Sequence, residues 1–346
     1  MTPLLLLSLA LAAPEKSYVI RGATVYDGSG SPGVVKDVCI TGNKITEKPA
    51  DGATVIDGKD LVVAPGFIDL HTHSDSGMTQ PKTRANTCYA VQGVTTIVTG
   101  NCGSGPVDTG KFFKELEAKG VGSNVIHQVP HNSVREAVMG NVNRAPSAEE
   151  LQKMCDLVDK AMSDGAWNLS TGLIYNPGTY SKTEELIALA KVSAKHGGHY
   201  ASHIRDESGQ HLEAVAEAIR IGKEAGCAVH ISHIKCSGKA FHGNSARAVE
   251  LIEKARREGM KVTADQYPYI ASSTSLRAQA VPTRFREGTN KEYLERVDDP
   301  KYREAVGKSV KDGAHIQVAR YSKKPEWQGK RISEIAKTEK KEPIDI

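Results

Sequence analysis

No Cys-x-x-Cys pair occurs among the six cysteines, Cys39, Cys88, Cys102, Cys155, Cys227 and Cys236. Cysteines so dispersed do not read as a disulfide framework, and most are expected to be small core residues. No G-x-G-x-x-G follows the first strand of the main domain, which argues against a dinucleotide-binding sheet. The 45 basic and 41 acidic residues are interspersed, net +4, with no basic stripe. That is solvated surface charge, and nucleic acid is not an expected partner. No segment is apolar over the roughly 20 residues a membrane helix needs, so no membrane partner is expected either. The apolar start, Met1 to Ala13, is too short to span a bilayer. With small residues at Ala10, Ala12 and Ala13 it reads as a signal peptide, 1–13, cleaved near Ala12. No Lys or Arg precedes the run, but export to the periplasm or the exterior is the expectation, with a cytoplasmic location if the run is not a signal. Aromatic residues are only 5% and charged ones 25%, an ordinary globular composition, and 346 residues suffice for one large domain or two smaller ones.

What is present divides at about residue 64. Residues 14–63 alternate apolar and polar positions between turn clusters such as Asp27-Gly-Ser-Gly-Ser-Pro-Gly33, and predict a small β unit. From 64 to 346 apolar strands alternate with amphipathic helices. Strands are predicted at 66–72, 94–100, 124–130, 168–174, 199–204, 228–234 and 261–267. Ser147-Ala-Glu-Glu150 and Ser181-Lys-Thr-Glu184 read as capping boxes, and Gly165, Gly197, Gly226 and Gly259 fall where helices should stop. A helical stretch is predicted over 290–311. Seven β/α units imply an α/β fold, a TIM-like barrel, in which functional groups gather at the carboxyl ends of the strands.

Five of the seven predicted strand ends carry His or Cys, from a chain with only twelve histidines. Strand one runs into His71-Thr72-His73. On a strand, residues i and i+2 share a face, so the two imidazoles are expected to converge. A His-x-His pair alone is equally a pair of core or surface residues. The company of Cys102, His203 and His233 favours a metal set, because imidazole and thiolate are donors that a divalent metal takes. A buried core cysteine before a tight glycine turn is the alternative for Cys102. His131 is a candidate for substrate contact or for capping a loop. His199 and His230 are expected to be structural, and His127, His196, His211, His242 and His315 to lie on the surface.

These residues resemble the amidohydrolase superfamily, and within it the N-acyl-D-amino-acid deacylases, or D-aminoacylases. The matching segments are Ala-Pro-Gly-Phe-Ile-Asp-Leu-His-Thr-His-Ser-Asp at 64–75, Gly-Val-Thr-Thr-Ile-Val-Thr-Gly-Asn-Cys-Gly at 93–103, Leu-Ser-Thr-Gly-Leu-Ile-Tyr-Asn-Pro-Gly at 169–178, Tyr-Ala-Ser-His-Ile-Arg-Asp-Glu at 200–207, Ile-Ser-His-Ile-Lys at 231–235 and Ala-Asp-Gln-Tyr-Pro-Tyr at 264–269. Asn-Cys-Gly is the most specific. It separates this branch from relatives that bridge their metals with a carboxylated lysine on strand four, and no lysine stands in 169–175. The resemblance implies that His71 and His73 bind one metal position, that Cys102 is shared, and that His203 and His233 complete the other. It implies Zn2+ in one tight site with a second, weaker one. Lys235, Tyr175 and Tyr267 would line the pocket of a small substrate, with Lys235 holding a substrate carboxylate. The implied reaction is hydrolysis of the amide of an N-acyl-D-amino acid. Hydantoinase-, dihydroorotase- or dipeptidase-like activity, or a non-catalytic metal-binding role, are the alternatives.

The resemblance also implies an aspartate at the end of an eighth strand as general base. The chain shows no such strand before Ile346, and 14–63 would be only half of a β-sandwich. The expectation is a chain truncated at its C-terminus, weak or inactive by itself. Asp265 or Asp206 would replace the missing acid only through unusual geometry.

Overall fold

From Ser17 the alternating, β-branched sequence forms the first strand of a small sheet, Ser17–Val25. The computed structural model describes residues 16–346; the expected signal peptide lies outside them. Ser17–Val25 pairs antiparallel with Val34–Thr41 and parallel with Thr54–Asp57 and Val62–Val63, while Lys44–Thr46 closes the other edge. The register slips between Ile20 and Ala23, where Gly22 has a positive φ, a bulge that glycine accepts without strain. This unit extends to Phe67, and a second compact unit runs from Ile68 to Ile346.

The strand run of the second unit opens at the chain boundary with Phe67–Asp69, of which Ile68 and Asp69 belong to this unit, and continues with Val94–Thr99, a split third strand, Leu169–Gly172, Tyr200–His203, Val229–Ile231 and Val262–Ala264, neighbours in chain order. The third strand, predicted as continuous over 124–130, is two pieces, Asn124–His127 and Val129–Pro130. The first pairs with strand two and the second with strand four, both parallel. The break falls at Gln128. Its N–H donates to the Thr99 carbonyl, and its side chain joins Asn101 to Asn168. The result is a TIM-like (β/α) barrel wall of seven strand positions, with strands one and seven as its edges among the described residues.

Helices Ala148–Ser163, Thr183–Lys195, His211–Ala225 and Asn244–Arg257 cover the wall. Met154, Val158, Leu186, Leu189, Val215 and Ile221 bury against Leu169, Tyr200, Val229 and Ile231. Each such side chain contributes about 1.5–3 kcal/mol on burial. The capping box at Ser147 and Glu150 forms as predicted. The one at Ser181 does not: its hydroxyl donates to the Gly178 carbonyl instead, and the helix begins at Thr183. The predicted 290–311 helix is two, Asn290–Glu295 and Pro300–Val310. Pro300 cannot continue a helix, and Asp299 caps the new one by accepting from the N–H groups of Lys301 and Tyr302.

Candidate metal centre

His71, Cys102, His203, His233 and Asp265 all stand at or just beyond the carboxyl ends of their strands. Cys102 sits in the tight turn Asn101–Gly103 after strand two, with a φ of 54°, between Gly100 and Gly103, which also have positive φ. A Cβ at Gly100 would lie 2.2 Å from the Gln128 carbonyl oxygen, so only glycine fits there. Asp75 fixes the turn by accepting the Gly100 N–H at 2.8 Å, and Asn101 Nδ2 donates to the Val98 carbonyl at 2.9 Å. His233 also has a positive φ, 35°. Of the six positive-φ non-glycine residues among the described residues, these two carry their local strain where the candidate donor atoms meet.

Cys102 Sγ lies 3.4 Å from His71 Nε2 and 3.5 Å from His233 Nε2. Ligand atoms of His71, Cys102 and His233 fall within 4.8 Å of one another, as do those of His203, Glu207 and His233. The His203 ring is buried, 4.3 Å from that of His233 between centroids, and neither of its nitrogens has a hydrogen-bond partner. Burial first, then the neighbouring imidazole of His233, with Lys235 and His71, lower its pKa to about 3 against the opposing pull of Glu207, so it is a neutral base with a free lone pair. Burial, Asp265 and Glu207 push the Cys102 thiol up. Two orphaned nitrogens, two further imidazoles, a thiol and a carboxylate form a donor set that fits a divalent cation of zinc's kind.

Two carboxylates organise this set. Asp265 Oδ2 lies 3.2 Å from His71 Nδ1 and 2.7 Å from His230 Nε2, while Oδ1 accepts the His233 backbone N–H at 2.6 Å. Burial opposes its ionisation, yet the hydrogen bonds with His230 and His71 hold the carboxyl well below the usual range. Because a carboxylate only accepts, His71 donates from Nδ1 and keeps the lone pair on Nε2, the atom that faces Cys102. Glu207 Oε1 lies 3.0 Å from His233 Nδ1, 3.7 Å from His203 Nε2 and 2.5 Å from Lys235 Nζ. Burial opposes its ionisation as well, but the His233 hydrogen bond and the nearby His203 and Lys235 bring its pKa down to about 2.

Four of the residues expected as ligands, His71, Cys102, His203 and His233, come together here, with two carboxylate partners that were not among the expected ligands. Glu207 stands four residues after His203, and the sequence offers Asp265 only as a substitute acid. Asp206, offered in the same way, caps its own loop by accepting from Ser208 and Gln210. His73 does not join either ligand set. Strand one stops at Asp69, whose carboxylate accepts the His71 N–H, so the i, i+2 rule no longer applies. Thr72 points inward, donating to the Val98 carbonyl, and His73 is exposed with its ring 5.4 Å from that of His71. Lys235 is near the cluster, but its ammonium is held by Glu207 and by the His233 carbonyl, and lies 5.5 Å over the Tyr267 ring. The Tyr267 hydroxyl is buried without a partner. Tyr175 packs edge-on against His203 at 4.9 Å, bonds Thr274 through its hydroxyl, and is pushed up by burial to about 12.

His131 is not available for substrate contact. It is fully buried, its Nε2 3.0 Å from Glu185 Oε1 and its Nδ1 3.4 Å from Asn132 Oδ1. His127 and His211, expected on the surface, are also buried. His127 is gripped by Thr99 and by the Pro106 carbonyl. Cys88 is exposed rather than a core residue.

The fold and this cluster define a β/α barrel with a candidate metal centre at the carboxyl ends of its strands. The chain belongs to the amidohydrolase family, whose model matches residues 54–334. It is 37% identical over 290 residues to a D-aminoacylase of Alcaligenes xylosoxydans xylosoxydans, covering 76% of this chain and 59% of that protein. The chain thus spans about three fifths of the length of that curated relative. A crystal structure of D-aminoacylase, described as defining a novel subset of amidohydrolases, matches with a TM-score of 0.77 at 32% identity, covering 95% of this chain and 68% of the other. A structure of N-acyl-D-glutamate deacylase from Bordetella bronchiseptica, complexed with zinc and a phosphonate mimic of the tetrahedral intermediate, matches with a TM-score of 0.79 at 28% identity, covering 96% and 69%.

Proposed function

We propose that this chain carries the metal-binding part of a zinc-dependent hydrolase that cleaves the amide bond of N-acyl-D-amino acids, releasing a carboxylate and a D-amino acid. The observation that carries the reading is the meeting of Cys102 Sγ with His71 and His233 beside the unpartnered, buried imidazole of His203. The likeness to D-aminoacylase and to the zinc-containing deacylase supports both the metal and the substrate class. His71, Cys102, His203 and His233 would hold zinc, with Glu207, and His73 as the family resemblance implies, as further donors for a second ion. Bound there, zinc supplies positive charge that polarises an amide carbonyl and acidifies water. Asp265 orients His71 and the His233 backbone. Lys235, released from Glu207, offers an ammonium to the substrate carboxylate, and the unpartnered Tyr267 hydroxyl offers a hydrogen bond within the same pocket. Tyr175 closes the wall beside His203. For the N-terminal segment we propose export by a signal peptide, on composition alone.

The test is a substrate panel on zinc-loaded and chelator-stripped protein. Slow, zinc-dependent release of D-amino acids from N-acetyl-D-methionine or N-acetyl-D-glutamate, but not from the L isomers, is expected, slow because none of the residues placed at the centre is the general-base aspartate that the resemblance implies. Preferential hydrolysis of hydantoin or dihydroorotate would overturn the substrate assignment, and zinc binding without turnover of any member would leave a binding protein.

A further inference from the structure

We infer that Asn132 is a positioning residue that holds the Cys102 turn and the Tyr175 loop in register. The inference rests on the reading of Cys102 as a metal-binding residue. Asn132 Nδ2 donates to the Gly172 carbonyl at 2.8 Å and to the Tyr175 carbonyl at 3.3 Å, and Oδ1 accepts the Gly172 N–H at 3.1 Å. One buried amide therefore satisfies both backbone groups of the last residue of strand four and one from the loop that carries Tyr175.

Glycines wall the same amide. A Cβ at Gly103, next to Cys102, would lie 2.1 Å from Asn132 Oδ1, and one at Gly178 would lie 2.5 Å from it. A Cβ at Gly172 would lie 2.1 Å from the Cys102 carbonyl oxygen. The amide and the Gly172 backbone thus form the surface on which the left-handed Cys102 turn rests. Asn132 is fixed from behind in turn. His131 Nδ1 is 3.4 Å from its Oδ1. His131 Nε2 meets Glu185, which also takes Arg135 Nε at 3.1 Å, and Arg135 donates onward to the carbonyls of Val142 and Arg144. His131, Asn132, Arg135 and Glu185 are all buried. A deeply anchored amide touching three glycines and two carbonyls sets where Cys102 Sγ points, although it touches no ligand atom itself.

The experiment compares the full chain with N132A, N132D and L186A. Leu186 is a fully buried core residue remote in role from the centre, and L186A reports what plain destabilisation does. Co2+ is titrated into the metal-free proteins, the thiolate-to-cobalt charge-transfer band is recorded, and Zn2+ affinity is measured by chelator competition. N132A is expected to weaken Zn2+ binding by about tenfold or more, the effect of losing support behind a ligand, and to diminish or shift the band. L186A, at a comparable melting temperature, should leave both intact. If N132A does not fold, N132D serves, since it keeps the volume but turns an acceptor toward the Gly172 and Tyr175 carbonyls, and the same direction of change is expected. Unchanged affinity and spectrum in the folded Asn132 variant overturn this inference alone, as do losses that L186A reproduces. A wild-type protein that binds Co2+ with no thiolate band overturns the metal reading and this inference together.

Discussion

Asp265→Asn keeps the shape of the side chain and removes its charge, and its effect can be worked from three contacts. In the native protein Oδ2 receives protons from His71 Nδ1 at 3.2 Å and His230 Nε2 at 2.7 Å, while Oδ1 takes the His233 N–H. The amide can keep one of these, the His233 contact, only by turning its NH2 toward the two imidazoles. His71 must then accept at Nδ1 and carry its proton on Nε2, the atom 3.4 Å from Cys102 Sγ. A protonated Nε2 has no lone pair for a metal. Restoring the ligating tautomer leaves a donor facing a donor, and loss of a charge-assisted hydrogen bond costs about 1.5–3 kcal/mol. The expected result is a fall of about 10- to 100-fold in zinc affinity, or 1.4–2.8 kcal/mol, read by chelator competition at pH 7.5. His230→Asn, which leaves Asp265 charged, should lose much less. If Asp265→Asn binds zinc as tightly as the wild type while turnover collapses, Asp265 moves protons in the reaction and does not orient a ligand, and the argument fails.

Zinc binding at pH 7.5 should release close to one proton, from the Cys102 thiol that burial and the two carboxylates keep protonated; titration calorimetry in buffers of different ionisation enthalpy measures it, and Cys102→Ala should abolish the release. The metal-free chain should lose stability as the pH falls below about 6.5. Burial and the neighbouring His230 lower the His199 pKa to about 4, and His203 is lowered to about 3, chiefly by burial. The unfolded chain therefore binds protons that the fold refuses, so the loss begins at the unfolded pKa and reaches about 3 kcal/mol for His199 alone by pH 4. A urea midpoint that is unchanged or higher at pH 5 than at pH 7 would contradict this. Gly172→Ala should yield insoluble protein or a melting temperature lowered by many degrees, because its Cβ would meet the Cys102 carbonyl oxygen at 2.1 Å; near-normal melting would show that the turn can yield.

The barrel was legible because its signals are local. Apolar strands, the Ser147 capping box and glycines with positive φ at 165, 197, 226 and 259 all lie within a few residues of what they determine. His71, Cys102, His203 and His233 were legible because barrel geometry sends strand ends to one place. What stayed hidden depends on partners distant in sequence. Glu185 lies 54 residues from His131, and that pairing turns a residue that could have met substrate into a buried one. Asp265 lies 194 residues from His71, and nothing in its own neighbourhood distinguishes a carboxylate that orients a ligand from one that caps a loop, as Asp206 does. His73 stands outside both donor sets for a different reason. Alternation of side chains holds only while the backbone is extended, and Asp69 ends strand one by bonding back to the His71 N–H.

Two of the buried polar clusters among the described residues differ in a way that separates scaffold from site. Around Glu185, the carboxylate is met by Arg135 and His131, and the guanidinium finishes on two carbonyls, so its charges are answered. That cluster needs nothing from outside. Around Cys102, by contrast, both nitrogens of His203 and the Tyr267 hydroxyl are buried without partners, and Cys102 and His233 hold positive φ. Each orphaned group costs roughly 1–3 kcal/mol, and each strained residue a comparable amount. A cluster serving only to stabilise the barrel would gain by replacing those groups with apolar ones. Their expense becomes intelligible if a ligand completes them, and the donors left open, imidazole nitrogen and sulfur, specify a cation of zinc's kind.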